Sequence, residues 1–168
     1  MPLKDNGAIS FKLVWDDFEL IPDYRIKIIN KGHYCALKFY SEVSCEDISW
    51  AFHPRSRGFK KVDRVRLAVE IIEDHIEFVI NNKEEAEEKY KEPSSITIKL
   101  ESTQDVVESK IIIQKNPEGA WVKFYDCAAN FGTGFHGDEK GIMKLNRFLA
   151  AIEIVNDELY YIKNKANE

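Results

Sequence analysis

Two stretches of this chain alternate between hydrophobic and polar positions, and the two match. In Tyr24 to Ser41, YRIKIINKGHYCALKFYS, Ile26 and Ile28 fall on one face with Arg25 and Lys27 opposite. After a turn at Asn30-Lys31-Gly32, Cys35, Leu37 and Phe39 alternate with Tyr34, Ala36, Lys38 and Tyr40. Period-two alternation predicts two half-buried strands in a hairpin. Residues 109–126, SKIIIQKNPEGAWVKFYD, repeat the plan: a run of Ile, a turn at Asn116-Pro117-Glu118-Gly119, then a strand with Trp121, Lys123 and Tyr125 on one face and Val122 and Phe124 on the other. Lys38 aligns with Lys123, Phe39 with Phe124 and Tyr40 with Tyr125. Such a repeat reads as two copies of one unit.

The flanking patterns complete each unit. Ile9–Asp16 alternates, with Ile9, Phe11, Leu13 and Trp15 on one face, and predicts a first strand; residues 16–23, with Pro22, read as a connection. Residues 44–58 read as a polar loop and Phe59 to Asp63 as a short fourth strand. Val65, Val69, Ile72, Ile76 and Val79 then form the stripe of a helix ending near Asn82. Lys83 to Glu92 reads as a helical extension or a charged linker, stopped by Pro93. The second copy opens with Ile96, Ile98 and Leu100 facing inward. Residues 102–108 connect to the hairpin, residues 128–141 read as a glycine-rich loop, and Gly141–Leu145 as a short strand. Asn146 is the expected N-cap of a last helix with the stripe Leu149, Ile152, Val155, Leu159 and Ile162.

Composition bounds the function. The chain has 168 residues, 44% of them hydrophobic, and no apolar run of membrane-spanning length. The first residues lack the apolar core of a signal peptide, which predicts a cytoplasmic protein, or a nuclear one in a eukaryote. Cys35, Cys45 and Cys127 form no C-x-x-C pair and read as reduced, buried thiols, with no metal site and no cofactor. A net charge of −5 argues against a general nucleic-acid binder. The charge is segregated, however. Arg25, Lys27, Lys31 and Lys38 lie in a stretch without acids, and Arg55, Arg57, Lys60, Lys61, Arg64 and Arg66 accompany one acid, Asp63. Acids collect in the helical segments, as at Glu84, Glu85, Glu87 and Glu88. A basic sheet with an acidic helical back can hold an anion on one side.

Four strands followed by a helix, twice in one chain, resembles the single-stranded nucleic-acid-binding folds of the transcriptional positive cofactor four, Whirly and Pur-alpha families. The resemblance is carried by the turn glycine and basic-aromatic strand from Lys31-Gly32-His33 to Tyr40, and by Lys140-Gly141-Ile142-Met143-Lys144-Leu145 leading into the last helix. Arg57-Gly58-Phe59-Lys60-Lys61-Val62 is the weaker counterpart in the first unit. It implies an α+β fold of two tandem ββββα units with antiparallel sheets, residues 1–92 and 93–168. Each C-terminal helix packs in a pseudo-dimer, as in families where the unit works in pairs.

Single-strand binding needs cations along the backbone path and aromatic faces for the bases. The outward faces supply Arg25, Lys27, Tyr34, Lys38 and Tyr40 in one unit and Lys110, Trp121, Lys123 and Tyr125 in the other. Arg55, Arg57 and Lys60 add loop cations suited to phosphate. Outward Lys and Tyr are also ordinary on antiparallel sheets, so the repetition of the pattern is what gives it weight. Gly132-Thr133-Gly134-Phe135-His136-Gly137 spells G-x-G-x-x-G, but the helix expected at Asn146 is too distant for a dinucleotide site. A mobile loop with Phe135 and His136 at its tip is the better reading. His33, His53, His75 and His136 read as surface or helix-edge residues.

The expected protein is therefore not an enzyme. It binds single-stranded DNA or RNA, in transcription or replication, alone or as a homo-oligomer. A second expectation is a protein-binding module, such as a host-directed regulator from a virus or mobile element whose acidic helix mimics nucleic acid. A third is a ligand-sensing regulator built on the Gly132–Gly137 loop.

Overall fold

A computed structural model describes residues 3–4, 6–13, 24–41, 47–100, 109–126 and 129–166. Trp15, the connections at 16–23 and 102–108, Cys45 and Cys127 lie outside them. Strands β1 (Ala8–Lys12), β2 (Tyr24–Asn30), β3 (Cys35–Ser41) and β4 (Asp47–Phe52) precede helices α1 (Ser56–Asn81) and α2 (Lys83–Lys89). Strands β5 (Ser94–Lys99), β6 (Lys110–Asn116), β7 (Gly119–Tyr125) and β8 (Asn130–His136) precede α3 (Glu139–Ala166). The fold is α+β. The strands form two four-stranded sheets in chain order, β1-β2-β3-β4 and β5-β6-β7-β8, antiparallel throughout.

The fourth strands stand elsewhere than the sequence pattern suggested. Phe59–Asp63 and Gly141–Leu145 are helical, and the strands are Asp47–Phe52 and Asn130–His136, within segments that read as loops. Accordingly α3 starts at Glu139, not after Asn146, and Asp138 accepts the Gly141 N–H at 3.1 Å as a side-chain cap. The same device occurs in both units. A Cβ at Gly58 would lie 1.7 Å from the His53 carbonyl oxygen, and one at Gly141 1.8 Å from that of His136. Both helices begin pressed against the end of the preceding strand, where only glycine fits. Residues 83–89 form a separate short helix after a break at Asn82.

The inner faces of both sheets and the stripes of α1 and α3 build one continuous core. Its centre is aromatic. Phe39 and Phe124, equivalent residues of the two hairpins, stack with centroids 4.6 Å apart and planes 10° off parallel, and Trp50 and Phe148 close around them. Helix α1 lies against α3 and against β6 and β7 of the second sheet; α3 lies against β2 and β3 of the first.

Polar links cross the same boundary. Trp50 donates its indole N–H to the Tyr125 carbonyl at 2.9 Å, and the Arg66 guanidinium grips both Glu153 oxygens at 2.6 and 2.9 Å. That hydrogen-bonded pairing holds the Glu153 carboxyl below its ordinary pKa and raises that of Arg66.

Candidate nucleic-acid interface

Strand register decides which side chains share the faces turned away from the helices. In the first sheet Arg25 is opposite Tyr40, Lys27 opposite Lys38, and Lys38 opposite Ser49. In the second, Lys110 is opposite Tyr125, Ile112 opposite Lys123, and Gln114 opposite Trp121. A base faces a tyrosine across the central ladder in both sheets, and a lysine follows two residues before that tyrosine. Lys12 and Lys99 extend the two rows, opposite Arg25 and Lys110.

The two faces are finished differently. On the first, Lys38 pairs with Asp47 at 3.0 Å, the Tyr40 hydroxyl meets the Ser10 hydroxyl at 3.1 Å, and Arg25 donates to Ser10 at 3.4 Å. On the second, the Lys110 ammonium sits 4.9 Å from the Tyr125 ring centroid, and Lys123 has neither hydrogen bond nor ion pair among the described residues. Strands β5 to β8 contain Lys99, Lys110, Lys115 and Lys123 and no acid. A cluster of acids lies on α2, where Glu84, Glu85, Glu87 and Glu88 are all exposed around buried Ala86.

Trp121, on β7, is 41% exposed and its ring packs over β8. A Cβ at Gly132 would come within 2.7 Å of its Cζ2 atom, and one at Gly134 within 3.5 Å of Cε3. The glycines of the G-x-G-x-x-G string thus sit within a strand and make room for a flat indole, and no mobile loop exists there. Glycine inside a strand commonly marks such a close approach. Phe135 is buried in the core, whereas His136 is exposed at the strand end.

The remaining expected site residues divide. Tyr34 is not on the strand face; it lies in the β2–β3 turn, its ring 4.9 Å from His33 and 5.3 Å from His53. Arg55, Arg57 and Lys60 are exposed, but at the start of α1, where no acid stands in the first turn and no side chain caps it. Cations there oppose the helix dipole, an arrangement that a bound phosphate would relieve. Lys61 is buried and donates to the Ala51 carbonyl at 2.9 Å, close to the Phe52 ring. Its counterpart Lys144 donates to the Thr133 hydroxyl and to the Gly134 carbonyl, beside Phe135, and burial pushes its pKa down to about 7. Each lysine ties its helix to the strand before it.

His75 is not at the surface: it is 3% exposed. Its Nε2 lies 2.8 and 2.9 Å from the Asn116 and Gly119 carbonyls, Nδ1 has no partner, and the ring edge meets Tyr90. Burial lowers its pKa against those two hydrogen bonds, helped by Lys115 and Lys89. Glu158 is equally buried and accepts from the Leu3 N–H at 2.6 Å and the Asn30 side chain at 3.0 Å. Cys35 is a free buried thiol whose pKa burial, with Glu158 nearby, raises to about 12. Among the described residues no cluster of three His, Cys, Asp or Glu is placed to hold a metal, and no helix is long and apolar enough to cross a membrane.

The arrangement defines an α+β protein with two repeated sheets, each presenting a basic and aromatic outer face. Comparison with protein-family models, curated proteins and solved structures gave no match.

Proposed function

We propose that this protein binds single-stranded DNA or RNA on its outer sheet faces and performs no chemistry. The observation that carries the reading is the repeated cross-strand pair, Arg25 with Tyr40 and Lys110 with Tyr125, each followed by Lys38 or Lys123. Bases stack on aromatic faces and phosphates follow the cations, which needs both residue types interleaved on one surface. The two ββββα units act as a pseudo-dimer within one chain, in the manner of the positive cofactor four, Whirly and Pur-alpha families. Helices packed across each other's sheets and the Phe39–Phe124 stack support that view.

Fluorescence anisotropy of a labelled single-stranded oligonucleotide, at low and at physiological salt, beside the same sequence as a duplex, tests the reading. Salt-sensitive binding to the single strand alone is expected. Absence of binding at low salt removes the proposal. A second reading is favoured by the exposed run Glu84, Glu85, Glu87 and Glu88 on α2: this helix meets a basic protein partner as a nucleic-acid mimic. It predicts capture of a basic protein that is lost when these four residues become Gln.

A further inference from the structure

The hairpin turn between β6 and β7 and the end of β8 enclose an open cleft of about 270 Å³, whose lining includes Asn116, Glu118, Ala120, Trp121, Phe135 and His136. Three features bear on its occupant. The broad wall is the indole of Trp121, held flat over Gly132 and Gly134 and 41% exposed. Most of the cleft surface is apolar, while Glu118 and His136 are exposed hydrogen-bonding groups at its edge. Past Trp121 the same strand face carries cations, Lys123 two residues along and Lys110 beside Tyr125 beyond it.

An apolar slot with one aromatic wall and polar groups around it suits a planar heterocycle, and the lysine row suits a polyanionic chain attached to that heterocycle. We propose that the cleft takes one unstacked nucleobase of a single strand, stacked on Trp121, with the phosphates running past Lys123 towards Lys110. This rests on the nucleic-acid reading above and narrows it to the second sheet. The first sheet has no equivalent cleft wall: Ala36 stands where the second has Trp121, and Ser49 where it has Gly132.

The test uses the tryptophan as its own reporter. The chain has three tryptophans, of which Trp50 is 1% exposed in the core and Trp15 lies outside the described residues. The full chain is titrated with an unlabelled short oligothymidylate at low salt, following indole emission. Anisotropy of the labelled strand is measured in parallel. Trp121→Phe, Trp121→Ala and the cleft-narrowing Gly134→Ala are compared with the parent. The exposed ring leaves folding to its neighbours, and a methyl at Gly134 makes only an ordinary 3.5 Å contact, so each variant is expected to keep the parent's far-ultraviolet circular dichroism. Quenching in the parent, its loss in Trp121→Phe and an affinity about tenfold weaker in Trp121→Ala are expected. Unchanged affinity in Trp121→Ala, or quenching that persists in Trp121→Phe, overturns the cleft proposal while leaving the sheet-face reading intact. Failure of every strand to bind at low salt removes both.

Discussion

The two sheets share a ladder and differ in surface. Arg25 and Lys110, Tyr40 and Tyr125, Lys38 and Lys123 occupy matching positions. In the first sheet Arg25, Lys38 and Tyr40 are engaged through Ser10 and Asp47, while Lys27, like Lys123 in the second, has neither hydrogen bond nor ion pair among the described residues; the second sheet adds an exposed indole on two glycines. The duplicated pattern maintains sheet architecture in both units, while the exposed indole and strands free of acids belong to the second alone. The inner faces differ far less, because both feed a single core, and experiments on the interior separate what the units share from what they do not.

The largest effect is expected at the Phe39–Phe124 stack. Truncating either ring to Ala removes a fully buried aromatic and costs about 3–5 kcal/mol. Because each ring contacts the other, the double variant is expected to lose less than the sum of the singles. Urea unfolding followed by far-ultraviolet and near-ultraviolet circular dichroism is the check. Coincident transitions in both variants are expected for one shared core; a split transition in which only one sheet melts shows the two units to be separately stable.

Next come Gly58→Ala and Gly141→Ala, where the added Cβ meets a backbone carbonyl. Losses at the upper end of about 1–3 kcal/mol are expected, and similar ones in both units. Markedly unequal losses would break the equivalence of the two strand-to-helix junctions.

These glycines also explain what the sequence hid. The hairpins were legible because alternation survives where one face is buried and the other wet, as at Cys35-Ala36-Leu37-Lys38-Phe39. The fourth strands were not. In NFGTGFH the two central outward positions are glycines that accommodate Trp121, so the segment has strand geometry with the composition of a loop. Gly58 and Gly141 looked like breaks and instead lie inside helices at a close approach. His75 reads as a surface or helix-edge residue, yet it and Glu158 each lie three positions after an apolar stripe residue, Ile72 or Val155, and therefore on the buried side. Their partners, all in the other unit, are set by tertiary packing that no local pattern encodes. For the candidate site, the basic and tyrosine rows could be read directly, but Trp121's cleft with Glu118 and His136 required the register of β7 against β8.

His75 sharpens the comparison through pH. Its folded pKa is depressed below 6.5, so the folded state binds the proton less readily than the unfolded chain. The stability it contributes is complete above that value and is lost as pH falls below it. Protonation places a second N–H on Nδ1, a buried atom without a partner. Urea midpoints measured from about pH 7 to about pH 5 are expected to fall more steeply for the parent than for His75→Gln. Equal pH dependence would mean that the folded and unfolded states bind this proton alike, so that burial of the ring leaves its protonation unchanged.

The smallest effect most directly tests the difference between the surfaces. If the second sheet is the binding face, Lys123→Ala removes a cation with neither hydrogen bond nor ion pair among the described residues. The slope of log affinity against log salt for a single strand should then shrink by about 0.7. Lys38→Ala removes a cation already held 3.0 Å from Asp47, whose counter-charge has displaced part of any phosphate's advantage, so a smaller change is expected. Asp47→Asn completes the set, because freeing Lys38 should bring its contribution up towards that of Lys123. Equal slopes for Lys38→Ala and Lys123→Ala in the presence of Asp47 would mean that the strand crosses both sheets. The duplicated lysines would then be two halves of one path, and the asymmetry of the surfaces would concern where the bases stack and leave the course of the backbone untouched.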